Sequence, residues 1–393
     1  MSEYWITLPM PNRCEHKNLS TLCVHAGHER GPAEQGLNTP IVTSTAFDYT
    51  RDDQVRYPRY LNTPNHKVVA GRICALEGAE AAFVTASGMG AVSAVFIGLM
   101  QPGDHAILLD GLYGGTSDLV EGLLKPYGFE FSVWDGDPAA LAGLVRPNTR
   151  LAWVESPTNP LLRVIDLAAT ASILREHGVV SVVDNTFATP ILQHPIELGF
   201  DLVMHSGTKY LSGHSDLLCG ALAGRREIIE KIRPQAIRLG SSLNGQDLYL
   251  LDRSLKTLEL RVSRQAENAA RLAEWLAAHA LVDEVFYPGL ESDAGHRVAK
   301  SQMRAFGAML SFRLSGKVAV ETFLGSLNLI SPAVSLAGVE STICQPARTS
   351  HSKLTEQARA ALGINARLMR FSVGIENVED LVADLQQAIE AGA

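Results

Sequence analysis

Between residues 81 and 224 the chain alternates short apolar runs with stretches of helical period. Segments 81–86, 105–109, 151–155, 181–183 and 201–205 are the apolar runs, and each empties into small or polar residues. A short apolar run bounded in this way fits a buried strand opening into a loop. Helices are expected over 65–76, closed by Gly78, through AVSAVFIGLM after Ser87-Gly88-Met89-Gly90, and over 166–177, closed by Gly178. This alternation predicts an α/β domain with a mainly parallel central sheet and helices on both faces.

The pattern changes on either side. Residues 1–60 hold no helical period for long and read as an irregular arm, extended over TPIVTSTAFDY. Packing against another subunit is the economical explanation for an arm of that length. From 248 to 279 runs one long helical stretch whose Leu251, Leu255, Leu258 and Val262 form a core stripe. Beyond it lie shorter strands (309–314, 368–373) and helices (317–328, 377–392), which suit a smaller α+β domain. The expected division is an arm over 1–60, a cofactor-sized domain over 61–245 and a C-terminal domain with its linking helix over 246–393.

Composition works mostly by exclusion. With 393 residues, 46% hydrophobic and 19% charged, the chain has room for two cores. A net charge of −8 without a basic block argues against nucleic acid or an anionic membrane. No apolar run reaches the roughly 18–20 residues of a spanning helix, and the first residues lack a basic start followed by an apolar core, so a cytoplasmic location is expected. The five cysteines are scattered without a CxxC pair, and the twelve histidines form no HExxH. Neither a disulfide framework nor a metal site is expected.

The candidate chemistry sits at the strand exits. HSGTKYLSGHSD places Lys209 among Ser206, Gly207 and Thr208. Hydroxyl donors suit a phosphate, and desolvation or a nearby cation lowers a lysine pKa until the neutral amine can form a Schiff base. An exposed lysine beside a Ser/Thr turn would carry the same short motif. The turn at Ser87, Gly88 and Met89 stands between a strand and a helix start, where free N–H groups point at an anion. It is neither a GxGxxG fingerprint nor a P-loop, and a tight turn that binds nothing has the same composition. Tyr113, Asn159 and Asp184 also follow strands, and an aromatic such as Tyr113 can stack on a planar ring. Tyr57 and Arg59 flank Pro58, and an arginine beside a phenol either clamps a phosphate or sits in a surface loop. In the C-terminal region Ser335 lies in the small-residue loop SPAVSLAG, and Arg370 lies inside the apolar strand LMRFSVG. An arginine there needs an anion, either a structural carboxylate or that of a substrate. A Schiff-base lysine, an aspartate, an aromatic ring and a helix-start phosphate site together describe pyridoxal phosphate, whose ring nitrogen a carboxylate keeps protonated.

SGMGA, LYGGT, ESPTNP, VVDNTF, HSGTKYLSGHSD, VSLAGVES and RFSVGIE, in that order, closely resemble the Cys/Met-metabolism pyridoxal-phosphate enzymes. That group comprises cystathionine γ-synthase, cystathionine β- and γ-lyases, methionine γ-lyase and O-acylhomoserine sulfhydrylases. The resemblance runs from about residue 20 to the C-terminus. It implies fold type I and a homotetramer built from two dimers. It makes Lys209 the Schiff-base lysine and proton shuttle, Asp184 the partner of the ring nitrogen and Tyr113 the stacking ring. Gly88, Met89, Ser206 and Thr208 would hold the phosphate, with Tyr57 and Arg59 reaching it from a neighbouring subunit. Arg370 would bind the substrate α-carboxylate beside Ser335 and Asn159. The implied reaction is elimination or replacement at Cβ or Cγ of a sulfur- or homoserine-derived amino acid, with cystathionine a leading substrate. A relative that kept the fold but lost catalysis would have lost Lys209 or Arg370, and transamination would need a second amino acid.

Three positions depart from individual members. Asp118 stands where several cystathionine γ-enzymes carry arginine, which should disfavour a second carboxylate and favour a neutral or cationic tail. Val334 stands where such enzymes carry glutamate. Gly115 stands where methionine γ-lyases commonly carry cysteine.

Overall fold

The computed structural model describes residues 18–27, 36–50, 54–352 and 355–393. Its central sheet has β1 (Ala81–Thr85), β2 (His105–Leu109), β3 (Glu130–Trp134), β4 (Thr149–Glu155), β5 (Val180–Asp184), β6 (Leu202–His205) and β7 (Gly220–Gly224). The order is β1-β7-β6-β5-β4-β2-β3. All neighbours from β3 to β6 are parallel, whereas β7 runs antiparallel between β1 and β6. β1 therefore points the same way as β6. The carboxyl ends of β1, β2, β4, β5 and β6 open on one edge, the edge at which such sheets bind ligands.

Helices cover both faces. Val92, Val95 and Phe96 from Gly88–Leu99 pack on one side with Ile228 and Ile232 from Arg226–Arg238. Val69 and Ile73 from Pro64–Glu77 pack on the other with Leu248 and Leu251 from Gly245–Leu255. Each such side chain contributes about 1.5–3 kcal/mol on full burial, so the two layers fix the sheet between them.

The expected strands all form, and β3 and β7 are additional. β7 reads GALAG, with no β-branched or aromatic residue to signal a strand. Its composition follows from crowding. A Cβ on Gly220 would lie 2.3 Å from Ser87 O, and one on Gly224 would lie 2.2 Å from Asp201 O. Only glycine lets this strand enter between its neighbours. β3, EFSVW, is an edge strand paired with β2, and Val133 on it is exposed.

A second sheet follows the order β10-β11-β12-β9-β8. Its strands are β8 (Val282–Phe286), β9 (Met309–Leu314), β10 (Ser331–Pro332), β11 (Thr342–Cys344) and β12 (Leu368–Ser372). Leu272 and Leu276 from Leu258–Ala277 and Leu381 and Leu385 from Val378–Gly392 pack on its Leu310, Phe312 and Phe371.

Two expectations about the connections need correction. The long helical stretch is two helices, Gly245–Leu255 and Leu258–Ala277. At the break, bonding shortens to three residues, with Lys256 N–H on Arg253 O (3.3 Å) and Thr257 N–H on Ser254 O (3.2 Å). The Arg261 guanidinium also donates to Ser254 O at 3.0 Å. No Gly or Pro marks that site, so the sequence pattern runs straight through it. The core stripe nonetheless holds: Leu251, Leu255, Leu258 and Val262 are all buried. The N-terminal arm is not wholly irregular, because Leu19–His25 is a helix.

The helix Leu19–His25 is held by a buried ion. Arg72 donates from Nε to Asp252 Oδ1 at 3.1 Å and from Nη1 to Cys23 O, joining three helices. Asp252→Ala would leave the Arg72 charge buried and unpaired. We expect it to lower unfolding stability by about 3–5 kcal/mol, measured by chemical denaturation.

Candidate active site

The phosphate end is built at the exit of β1. Ser87 is the N-cap of Gly88–Leu99, and its Oγ accepts the Gly90 N–H at 3.0 Å. Ala91 N–H goes to Ser87 O. The N–H groups of Gly88 and Met89 are left over, aimed outward at the positive end of the helix dipole. Gly88 is required for the fit: a Cβ there would sit 3.0 Å from Ser206 Oγ and 3.1 Å from Ser206 Cβ. The helix start and the lysine loop thus form one anion-sized cradle.

The loop after β6 is locked from within. Thr208 N–H donates to Cys219 O (3.0 Å), Lys209 N–H to Ser206 O (3.0 Å) and Gly213 N–H to Lys209 O (2.7 Å). Thr208 Oγ1 donates to Cys219 O at 3.1 Å and accepts from Cys219 N at 3.0 Å. A phosphate contact through Thr208 therefore requires its hydroxyl hydrogen to turn from Cys219. Lys209 Nζ donates to Ser335 Oγ at 2.7 Å. Burial, with the charge of Arg370 adding to it, lowers the Lys209 pKa to about 8. An amine so poised is a nucleophile at neutral pH far more often than an ordinary lysine.

Asp184 ends β5. Its Oδ1 accepts the Thr186 hydroxyl (2.5 Å) and the Thr186 N–H (3.0 Å). Among the described residues both bonds fall on that one oxygen, so Oδ2 is the oxygen free to meet a ring N–H. Burial raises the Asp184 pKa, while the Thr186 bonds and His205 oppose the rise. Glu155, opposite it in register on β4, is pushed up to about 8 by burial and then by the Asp184 charge.

Tyr113 stands at the exit of β2 with its ring half open, 48% exposed. The ring lies over Gly115, where a Cβ would come 2.5 Å from Tyr113 Cε1. On the facing wall, Arg370 from β12 is buried. Its Nη1 donates to Asn159 Oδ1 (3.0 Å) and its Nη2 to Ser335 O (3.1 Å). Its Nε is buried without a partner. Among the described residues no carboxylate pairs with it, unlike Arg72, so the structural-carboxylate alternative fails.

One cavity of about 890 Å³ collects Gly88, Met89, Tyr113, Asn159, Asp184 and Ser206. Thr208, Lys209, Ser335, Arg370 and Asp118 line it too, with Val334 and Gly115. Tyr57 and Arg59 do not. They are exposed on the arm side, with the Arg59 guanidinium 5.1 Å from the Tyr60 ring centre.

A family model described as Cys/Met metabolism PLP-dependent enzyme matches residues 20–390. The chain belongs to that family. It is similar to an L-methionine gamma-lyase of Fusobacterium nucleatum subsp. polymorphum, 40% identical over 91% of this chain and 90% of the relative. A cystathionine beta-lyase of Coxiella burnetii is 39% identical over 96% of this chain and 99% of that one. The crystal structure of cystathionine gamma synthase from Xanthomonas oryzae pv. oryzae with cystathionine superposes with TM-score 0.91, at 38% identity over 95% of this chain and 98% of that one. The fold is thus that of the type I pyridoxal-phosphate enzymes. The protein is a pyridoxal-phosphate enzyme of the transsulfuration type, eliminating or replacing at Cβ or Cγ of sulfur- or homoserine-derived amino acids.

The residues present fit the cofactor. The Gly88 cradle would accept the phosphate, the free Asp184 oxygen would meet a ring nitrogen, the open Tyr113 ring would meet a planar face, and Lys209 would meet an aldehyde. Bound, the cofactor supplies an electron sink for charge developing at the substrate Cα. The protein's own groups then orient the amino acid and move its proton.

Sequence reasoning passed over Thr186, Glu155 and His351. Thr186 also accepts the Ser206 N–H (2.8 Å), so it links Asp184 to the phosphate loop. VVDNTF carried that signal, because a hydroxyl two residues after an aspartate often bonds back to it. His351 lines the cavity, and burial followed by the Arg370 charge lowers its pKa to about 4, leaving it neutral. Nothing in QPARTSHS marks it.

The Lys209 value has a kinetic consequence. Below pH 8 the neutral fraction of the amine falls about tenfold per unit. The rate at which apoenzyme captures pyridoxal phosphate should climb with that slope and flatten above about pH 8, as followed by stopped-flow absorbance.

Proposed function

We propose that the enzyme expels a neutral or cationic γ-substituent from a homoserine-type amino acid, releasing 2-oxobutyrate and ammonia. Lys209 carries the proton between Cα and the leaving side, Arg370 with Asn159 and Ser335 holds the α-carboxylate, and Tyr113 flanks the ring. The charge distribution of the cavity supports this reading. Arg370 and Lys209 are the Lys or Arg side chains among its described lining residues, and both are already committed. The far wall carries Asp118 and Glu121. A second carboxylate at the distal end would meet these acids, whereas an amine, a guanidine or a thioether would not. The second reading is cystathionine, whose distal ammonium suits Asp118 even though its distal carboxylate does not.

A panel of methionine, cystathionine and a γ-substituted amino acid ending in an amine or guanidine tests the reading. We expect the cationic or neutral substrates to give the higher kcat/KM. Asp118→Asn should raise KM for the cationic one about two- to fivefold, the scale of an exposed charge pair, and leave methionine unchanged. Cystathionine as the fastest substrate, yielding pyruvate, would assign the chain to β-elimination instead.

We propose also that the active unit is a homotetramer of paired dimers in which Tyr57 and Arg59 of one copy complete the phosphate site of the next. Both side chains are exposed and stand off their own cavity, which supports the reading. All the described cysteines are buried thiols outside any disulfide, which suits a reducing cytoplasm. Mixing inactive Lys209→Ala chains with inactive Arg59→Ala chains should then restore measurable activity, since some mixed sites would be fully wild type. A mixture as inactive as its components would sink the shared site.

A further inference from the structure

Glu155 is a buried carboxyl in a cavity that already needs one at Asp184. It ends β4, pairs in register with Asp184 on β5, and is 6% exposed. Two acids side by side in the interior repel, and burial adds to the cost. Glu155 makes two bonds, one from each oxygen. Oε2 accepts the Tyr113 N–H at 2.9 Å, and Oε1 accepts the Asn159 N–H at 3.1 Å. Both donors are backbone groups of residues that meet ligands, and they come from the exits of different strands, β2 and β4.

The bonds continue beyond Glu155. Asn159 Oδ1 takes Arg370 Nη1, Arg370 Nη2 donates to Ser335 O, and Ser335 Oγ takes Lys209 Nζ. Glu155 is the point where this chain joins Tyr113. The helix that Tyr113 caps, Gly114–Leu119, has no side-chain cap of its own from Tyr113. The Tyr113 carbonyl is held by the N–H groups of Thr116 (2.9 Å) and Ser117 (3.1 Å), and the Glu155 carboxyl holds its N–H.

We propose that Glu155 is a positioning residue that clasps Tyr113 and Asn159 together, setting the spacing between the ring-stacking wall and the α-carboxylate site. The clasp needs two acceptors on one side chain. A carboxyl group, charged or neutral, has an oxygen with a lone pair on each side, and an amide of equal size does not, because its NH2 would face a second N–H. The inference rests on the reading of Arg370 as the α-carboxylate site.

Glu155→Gln in the full-length enzyme tests it. We expect KM for any accepted amino acid to rise about tenfold, the scale of one lost buried hydrogen bond, with kcat changed far less. The Kd for pyridoxal 5′-phosphate, measured by fluorescence titration of apoenzyme, should also rise, while the apoenzyme Tm stays within a few degrees. In an Asn159→Ala background the added effect on KM should shrink toward none, since both changes act through one contact. If Glu155→Gln does not fold, Glu155→Asp, which keeps the charge and shortens the reach, is read on the same two constants. Unmoved KM and Kd overturn the proposal, as does a KM effect that persists in full without Asn159. A fall in kcat alone would make Glu155 a proton-transfer group instead. If Arg370→Ala leaves KM unchanged, the carboxylate reading fails first; if it raises KM and Glu155→Gln does not, only the clasp fails.

Discussion

The structure depends on a buried guanidinium with no carboxylate of its own. Arg370 sits within an apolar strand, bonded to two neutral oxygens, with Nε orphaned. Such a charge is expensive to bury unless an anion arrives to meet it. Its field does useful things meanwhile. It adds to the burial that lowers the Lys209 pKa and to the burial that keeps His351 neutral. Across the cavity stand the buried carboxyls Asp184 and Glu155, whose charged forms burial disfavours. The interior thus sets a cationic wall against a floor of carboxyls before any ligand enters.

That polarity exists because strand exits converge. Asp184, Glu155 and Lys209 belong to parallel strands or the loop after one, and parallel strands end on the same side. β1 does not neighbour them. It reaches the same edge because β7 is inserted antiparallel beside it, which restores the direction of β1. The insertion is tight enough that Gly220 and Gly224 admit no side chain. The phosphate cradle at Gly88 is thus positioned by a strand that makes no contact with chemistry itself.

This explains what the amino-acid pattern made legible. Apolar runs reveal β1, β2, β4, β5 and β6, because those strands are buried by large side chains. The strand exits are legible for the same reason, and Lys209, Asp184 and Tyr113 follow from them. β7 is silent because close approach replaced its side chains with hydrogens. Glu155 is silent for a different reason: it reads as the last residue of a strand, LAWVE, and its role lies in two backbone bonds that no pattern records. The broken linking helix is hidden because a distant arginine, not a proline, marks the break. Asp118, Val334 and Gly115 stand out only against a resemblance, and the structure adds that all three line the cavity.

The break in that helix matters to the site. Arg261, which takes the Ser254 carbonyl at the break, also donates to Tyr210 O at 2.9 Å, the residue after the lysine. Its guanidinium lies where any side chain on Gly213 would have to go, and Gly213 has φ +67°. From the other side Val339 N–H donates to Gly213 O at 2.9 Å. Ser335 and Ala337 are held at φ 76° and 71°, a conformation unfavourable for residues with a Cβ. They persist because Ala337 N–H reaches Ser372 Oγ at 2.7 Å and Ser335 O takes Arg370, both on β12. The second sheet therefore holds a strained loop against the lysine, and Ser335 presents its hydroxyl to Nζ because β12 forces the backbone beneath it. The second sheet is therefore part of the wall against which Lys209 rests, and disturbing its packing should reach the lysine before it reaches the fold of the central sheet.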